Sequence, residues 1–101
     1  MIVHRRTYRV KFGQGTQAAE WIKEQIEGNT FYTEAYRIYL PDIGGEDDVV
    51  VVEWEYEDVP AMRAAWEAWL AKPSTQEAAP KWSEMAAPGG HAEIWQLFAK
   101  R

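Results

Sequence analysis

MIVHRRTYRVKFG, the sequence of residues 1–13, alternates along its whole length in the way that a β-strand requires. Successive side chains of a strand point to opposite faces of the sheet. One face of this segment therefore carries Ile2, His4, Arg6, Tyr8, Val10 and Phe12, and the other carries Val3, Arg5, Thr7, Arg9 and Lys11. So long a strand at the start of the chain predicts a central place in the sheet, with later strands added on both sides.

The rest of the chain gives a regular order of helices and strands. Apolar residues recur at helical spacing in two segments, and short runs rich in β-branched and aromatic residues lie between turn signals. The predicted elements are a helix at 16–27 capped by Thr16, strands at 31–40 and 48–57, a helix that Asp58 caps and Pro73 stops, a shorter helix from the capping box at 74–77, and a strand at 91–100. Pro80 is expected to kink the shorter helix, and Pro88-Gly89-Gly90 is expected to separate it from the last strand.

This order, β-α-β-β-α-(α)-β, predicts the fold class. It is typical of an α+β, ferredoxin-like βαββαβ sandwich, in which a four-stranded antiparallel sheet carries its helices on one face. The length of 101 residues suits a single domain over 1–101.

The face of the sheet without helices predicts a homodimer. In the third strand Val50, Val52, Trp54 and Tyr56 form one apolar row, which suits the helix side. The opposite row still carries Val49 and Val51, and large apolar residues occur on both sides of the other strands. A second copy of the sheet would cover that surface, although the sequence leaves open which row faces the interface.

Composition narrows the function classes. A net charge of −5 disfavours nucleic acid and anionic membranes as partners, and the acidic run Glu53–Asp58 is able to neutralise the basic residues of the first strand. The absence of cysteine removes disulfides, thiol nucleophiles and thiolate metal sites. The sequence shows neither an apolar run of membrane-spanning length nor a signal-peptide core, so a cytoplasmic location is expected.

Three segments resemble one known family. The opening resembles the M-I-x-E-x-R-x-Y pattern of NIPSNAP-type members of the dimeric α/β-barrel superfamily, through Met1, Ile2, Arg6, Thr7, Tyr8 and Gly13, with His4 where the pattern usually has Glu. WEAWLAKP at 66–73 with Lys81-Trp82, and EIWQL at 93–97, resemble the second helix region and the last strand of that family. The resemblance implies a ferredoxin-like homodimer with a cavity between sheet and helices, but no known reaction. Superfamily relatives include cofactor-independent monooxygenases, haem-degrading enzymes, muconolactone-isomerase-like proteins and ligand-sensing domains.

The first strand supplies the candidate ligand site. His4, Arg6 and Tyr8 share one face and offer an acid/base group, an anion clamp and a hydroxyl donor, with Tyr36 and Trp54 as aromatic walls. In the alternative interpretation Arg6 is a buried ion-pair partner of Glu34 or Glu93, and Tyr8 belongs to the core. Trp66, Trp69 and Trp82 are interpreted as core and cavity wall.

These residues favour a protein that binds a small, partly apolar molecule, with cofactor-independent monooxygenase or isomerase-type activity as the expectation by fold analogy. The alternative is a non-catalytic dimerisation or interaction module, so whether the protein is an enzyme stays open. No residue is assigned a catalytic role. The two histidines, His4 and His91, lack metal-ligand spacing, so neither a metal nor a cofactor is expected.

Overall fold

A computed structural model describes residues 1–28 and 35–101 of the chain. The described residues form four strands and three helices. In chain order these are β1 (Ile2–Val10), α1 (Gly15–Gly28), β2 (Tyr36–Tyr39), β3 (Val49–Tyr56), α2 (Val59–Ala71), α3 (Pro73–Met85) and β4 (Ala86–Gln96).

The strands form one antiparallel sheet in the order β2-β3-β1-β4. The prediction that the first strand is central is confirmed, because β1 lies between β3 and β4. The strands β2 and β3 form an antiparallel hairpin, with Tyr36 opposite Trp54. The chain therefore has the predicted ferredoxin-like α+β fold.

The core lies between this sheet and the helices. The row Val50, Val52, Trp54 and Tyr56 of β3 is almost fully buried and packs with residues of all three helices, as predicted. Pairing between β1 and β3 places Ile2, His4, Arg6 and Tyr8 in the same layer, each opposite one of these four residues. The site residues predicted on β1 consequently face the helices.

The end of β1 and the start of α1 differ slightly from prediction. Strand pairing stops at Val10, and Phe12 is 93% exposed because the chain turns at Gly13, which has a φ of 75°. The Asp48 side chain accepts a hydrogen bond from the Gly13 N–H and holds that turn. The helix begins at Gly15, so Thr16 lies inside its first turn and the predicted Thr16 cap is wrong.

The caps of the next two helices show one correct and one wrong prediction. Asp58 caps α2 by accepting a hydrogen bond of 2.8 Å from the Ala61 N–H. The helix α3, however, begins at Pro73, and its cap residue Lys72 makes no side-chain capping hydrogen bond, so the capping box at 74–77 is not used. Proline suits a first helical position because its missing N–H would have no partner there. The helix then continues through Pro80 to Met85.

The last strand starts earlier than predicted. Pairing with β1 begins at Ala86 and runs through Pro88-Gly89-Gly90, where the register shifts between Tyr8 and Val10. Gly89 and Gly90 have φ values of 104° and 107°, which explains how the strand absorbs the irregularity without ending. It ends at Gln96, before the predicted end at 100.

Some predictions fall on residues 29–34, outside the described residues. They are the first part of the predicted strand at 31–40, with Phe31 and Tyr32, and Glu34 as a partner of Arg6. In the described part of the chain, no helix combines the length and the apolar character needed to cross a membrane.

Candidate functional site

A cavity of about 290 Å³ lies between the sheet and the three helices. Its described lining is almost entirely apolar and aromatic, and it contains a single charged side chain, that of Arg6. The lining residues are Arg6, Tyr8, Trp21, Ile22, Gln25, Ile26, Trp54, Trp66, Trp69, Leu70, Thr75, Ala79 and Trp82.

Arg6 lies in the middle of β1, with its guanidinium carbon 4.3 Å from the centre of the Trp66 ring. A cation over an indole face is favourable, but the ring does not neutralise its charge. Within residues 1–28 and 35–101 Arg6 forms no ion pair. Glu93, one of the two partners that the sequence suggested, pairs with Arg5 in the sheet register and so lies on the opposite face. The alternative of an Arg6–Glu93 ion pair is therefore wrong.

His4 orients Arg6 without neutralising it. The Nε of Arg6 donates a hydrogen bond of 3.3 Å to Nε2 of His4, whose ring packs against Trp54 and Trp66 with centroid distances of 5.4 Å to each. Burial, followed by the nearby charge of Arg6, lowers the pKa of His4 to about 4. The imidazole is thus neutral at pH 7, and because its Nε2 accepts, its proton is assigned to Nδ1. His4 lies beside the cavity rather than in its wall.

Tyr8 supplies a neutral hydroxyl at the cavity wall. Burial raises the pKa of Tyr8 to about 12, although the charge and hydrogen bond of Arg6 act in the opposite direction. The phenol therefore stays protonated at pH 7 and is able to donate a hydrogen bond. Its ring stands edge-on to Trp82 with the centroids 5.2 Å apart.

Of the two aromatic residues predicted as cavity walls, Trp54 lines the cavity and Tyr36 does not. Trp54 lines the cavity and is 2% exposed. Tyr36 occupies the neighbouring position across the sheet, opposite Trp54, but it is not part of the cavity lining. Its hydroxyl instead donates a hydrogen bond of 2.9 Å to the Glu27 carboxylate of α1. Burial, followed by this hydrogen bond, raises the pKa of Tyr36.

The helices contribute walls that the sequence identified only in part. Trp66, Trp69 and Trp82 line the cavity, in keeping with their interpretation as core and cavity wall. Trp21 was missed, although it stacks on Trp82 at 5.6 Å. Its position one residue before the buried Ile22, on the flank of the apolar stripe of α1, was the available signal.

Two polar residues of the lining were also missed. Gln25 lies one turn after Trp21 on α1, and Thr75 lies in the first turn of α3. The Thr75 hydroxyl oxygen is buried and has no hydrogen-bond partner among the described residues. Residues of this type have no distinctive spacing, so no sequence pattern indicates their place in the cavity.

The first strand and the helices that build this cavity fall within one family match. The NIPSNAP family model matches residues 3–93. The chain belongs to the NIPSNAP family. The matched range contains all five residues of the ligand site predicted for this NIPSNAP chain, from His4 to Trp54.

Solved structures similar to this NIPSNAP chain share its fold over nearly its whole length. An uncharacterized NIPSNAP domain protein from Burkholderia xenovorans is 26% identical, with a TM-score of 0.74 and 100% of both chains covered. A NIPSNAP family protein of unknown function from Agrobacterium tumefaciens is 19% identical, with a TM-score of 0.77, covering 98% of this chain and 91% of that one. An antibiotic biosynthesis monooxygenase is 16% identical, with a TM-score of 0.67, covering 98% of this chain and 100% of that one. No curated protein matches the chain.

Proposed function

We propose that this NIPSNAP protein binds a small, largely apolar anion in the cavity between its sheet and helices. The single observation that carries the proposal is Arg6, a cation without an ion-pair partner among the described residues, in the wall of an aromatic cavity. A charge in such surroundings is costly unless an opposite charge accompanies it. An anionic ligand would supply that charge.

The groups around Arg6 indicate which anions fit. The guanidinium offers planar N–H donors, and the protonated hydroxyl of Tyr8 adds a donor of different geometry. A carboxylate, a phenolate or an enolate matches these donors, while the tryptophans accommodate one or two rings. The volume of about 290 Å³ is at the small end for ligand pockets and supports a molecule of that size.

The same groups support a limited chemistry. A cation and a hydroxyl that face a developing negative charge would stabilise an enolate or phenolate, as isomerisation or cofactor-independent oxygenation requires. The fold shared with an antibiotic biosynthesis monooxygenase agrees with this class. However, the described lining holds no group that titrates near neutral pH and could remove a proton. A substrate that reacts here would therefore need to be acidic already, so binding is the primary proposal.

Binding is tested with a matched pair of ligands, cinnamate and its neutral amide, by isothermal titration calorimetry. We expect cinnamate to bind at least about tenfold more tightly, since a charged hydrogen bond contributes about 1.5–3 kcal/mol. Arg6→Met should abolish the preference. Arg6→Lys should reduce it while the melting temperature is kept, because lysine retains the charge but not the planar fork.

Arg5→Met is the matched control. It removes the same charge from the same strand, but Arg5 faces the other side of the sheet, where it lies 3.7 Å from Glu53. Equal binding of the acid and the amide to the wild-type protein would contradict the proposal. So would an equal loss of preference in the Arg5 and Arg6 variants.

The second proposal concerns assembly: we propose a homodimer formed through the sheet face opposite the helices. Tyr39 and Trp95 are 43% and 54% exposed on that face, where Tyr39 lies opposite Val51 and Trp95 lies opposite Val3. The same face carries Arg37, Glu53, Arg5 and Glu93 as cross-strand neighbours of alternating sign. Charges that already have partners within one sheet are less costly to cover than isolated ones. If no ligand binds, this dimer is the function that remains.

A further inference from the structure

A second cavity lies on the other side of Arg6, between α2 and β4. We call it the β4 groove; its volume is about 330 Å³, and its lining residues are His4, Arg6, Met62, Arg63, Trp66, Glu67, Ala92 and Ile94. Arg6 and Trp66 belong to the lining of both cavities. The Arg6–Trp66 contact is therefore the wall that the aromatic cavity and the β4 groove share.

The charges of the β4 groove favour an anion. Arg6 and Arg63 both line it, and neither forms an ion pair with any residue in the described ranges 1–28 and 35–101. Glu67, one turn after Arg63 on α2, is the acidic residue of the described lining. Two cations against one carboxylate leave an excess of positive charge, in a protein whose net charge is −5.

His4 also belongs to this groove and orients one of its two arginines. The residue is 5% exposed and lines the β4 groove but not the aromatic cavity. Because Nε2 accepts the hydrogen bond from Arg6, the N–H is at Nδ1, and that atom has no partner among the described residues. That nitrogen is itself buried, so His4 acts on the groove through the hydrogen bond by which it orients Arg6.

From these charges we infer that the β4 groove is a second anion site, which binds a small oxyanion, a phosphate or a short dicarboxylate, through Arg6 and Arg63, with His4 orienting Arg6. This site goes beyond the proposed function, because neither His4 nor Arg63 takes part in the aromatic cavity. Since both sites use the guanidinium of Arg6, an anion in the groove weakens the binding of an anion in the cavity. The coupling is reciprocal, as for any two linked equilibria.

The site is tested by calorimetric titration with inorganic phosphate and with malonate, at constant ionic strength maintained with potassium chloride. Arg63→Gln should weaken binding of both by about tenfold, the loss expected for a charge-assisted hydrogen bond. Glu67→Gln should strengthen it, because the nearby negative charge is removed. Arg101→Gln, which removes an exposed positive charge outside the groove, is the matched control and should change nothing.

A second readout uses the hydrogen bond between Arg6 and His4, through which an anion on Arg6 should affect the histidine. The Nδ1 proton of His4 is buried, and its NMR signal should move when phosphate is added. The signal of His91, the other histidine of the chain, should not move. The His91 signal is identified by its loss in His91→Gln. The groove site would be overturned if Arg63→Gln and Glu67→Gln left the titrations unchanged, or if phosphate and malonate did not bind. Neither outcome affects the cinnamate test, and a protein that binds phosphate but not cinnamate keeps the groove and loses the proposed cavity ligand.

Discussion

Arg6 and His4 lie two residues apart on β1, and the hydrogen bond between them determines what each can do. A carboxylate in place of His4 would neutralise Arg6, whereas the neutral imidazole only directs it. The depressed pKa of His4 keeps that acceptor in place at physiological pH. Protonation would remove the acceptor and place two positive charges side by side, beneath the rings of Trp54 and Trp66.

The pKa of His4 predicts a specific loss of stability in acid. Its value is 6.5 in the unfolded chain and about 4 in the fold, so the unfolded state binds more protons between those values. The contribution is complete above about pH 6.5 and is lost as the pH falls towards 4, by about 3 kcal/mol in all. Urea denaturation of the wild-type protein and of His4→Gln over this range measures it.

The glutamine variant is informative because its amide oxygen accepts from Arg6 but does not titrate near pH 5. Carboxylates titrate in both proteins, so the difference between the two pH profiles isolates His4. Parallel profiles from pH 7 to pH 4 would contradict the burial of a neutral imidazole.

The sequence predicted part of this residue-scale arrangement. Alternation along β1 placed His4, Arg6 and Tyr8 on one face and raised the question of a partner for Arg6. It could not reveal that Glu93 lies on the opposite face, because that depends on the register of β4 against β1. Nor could it separate Tyr36 from the cavity, since the hydrogen bond to Glu27 depends on the position of α1.

At the scale of elements, α2 shows that residues on one apolar stripe of a helix can differ in burial. Trp66 packs against His4, Trp54 and Trp69, with ring centroids between 5.3 and 6.1 Å apart. Leu70, one turn later on the same stripe, is 49% exposed at the cavity rim. The two residues therefore differ in burial, although helical spacing places them on one face.

Substitutions in α2 should follow that difference. We expect Trp66→Ala to reduce the free energy of unfolding by about 2–5 kcal/mol, because it leaves a cavity among packed rings. Leu70→Ala should cost about 1 kcal/mol or less, and Glu67→Ala on the exposed face should stay within about 0.5 kcal/mol. Denaturant unfolding of the three variants checks the order. Similar losses in all three would mean that the helix faces the sheet in another register.

The start of β4 gives a second prediction at this scale. A Cβ at Gly90 would lie 2.5 Å from the Thr7 carbonyl oxygen, and the φ of 107° already excludes most side chains. Gly90→Ala should therefore destabilise the protein by more than the cost of about 1–2 kcal/mol for a left-handed residue alone. Gly45→Ala is the control, because its φ is also positive but nothing lies within 4 Å. Equal melting temperatures for the two variants would show that β4 does not pass so close to β1.

The same glycines explain why the element boundaries were missed. Proline and two glycines in succession normally mark a turn, and no local signal distinguishes a turn from a strand that is bulged against its neighbour. Likewise Pro73 is the first residue of α3, whereas the sequence pattern indicated only that α2 ends there. Existence and order of the elements follow from periodicity, but such boundaries follow from tertiary pairing.

At the scale of the whole molecule, the proposed ligand cavity lies on one face of the sheet and the proposed dimer interface lies on the other. The helix face encloses the aromatic cavity, and its apolar row on β3 was predictable from alternation alone. The open face was expected to be a second apolar row, yet it carries a ladder of alternating charges next to Val51. Single-strand patterns cannot show such a ladder, because it arises only when four strands are in register.

The dimer is tested at Val51, which lies on the open face next to Tyr39 and Thr7. Val49 is less suitable, because it is only 5% exposed and a charge there would destabilise the fold itself. Val51→Glu would bury an unpaired carboxylate between two sheets, so we expect the dissociation constant of the dimer to rise more than about tenfold. Sedimentation velocity at micromolar concentration measures it, and Ile43→Glu, at a position 94% exposed in the loop between β2 and β3, is the control. A wild-type protein that sediments as a monomer would exclude the dimer, whereas a Val51→Glu dimer as stable as the wild type would place the interface on another surface.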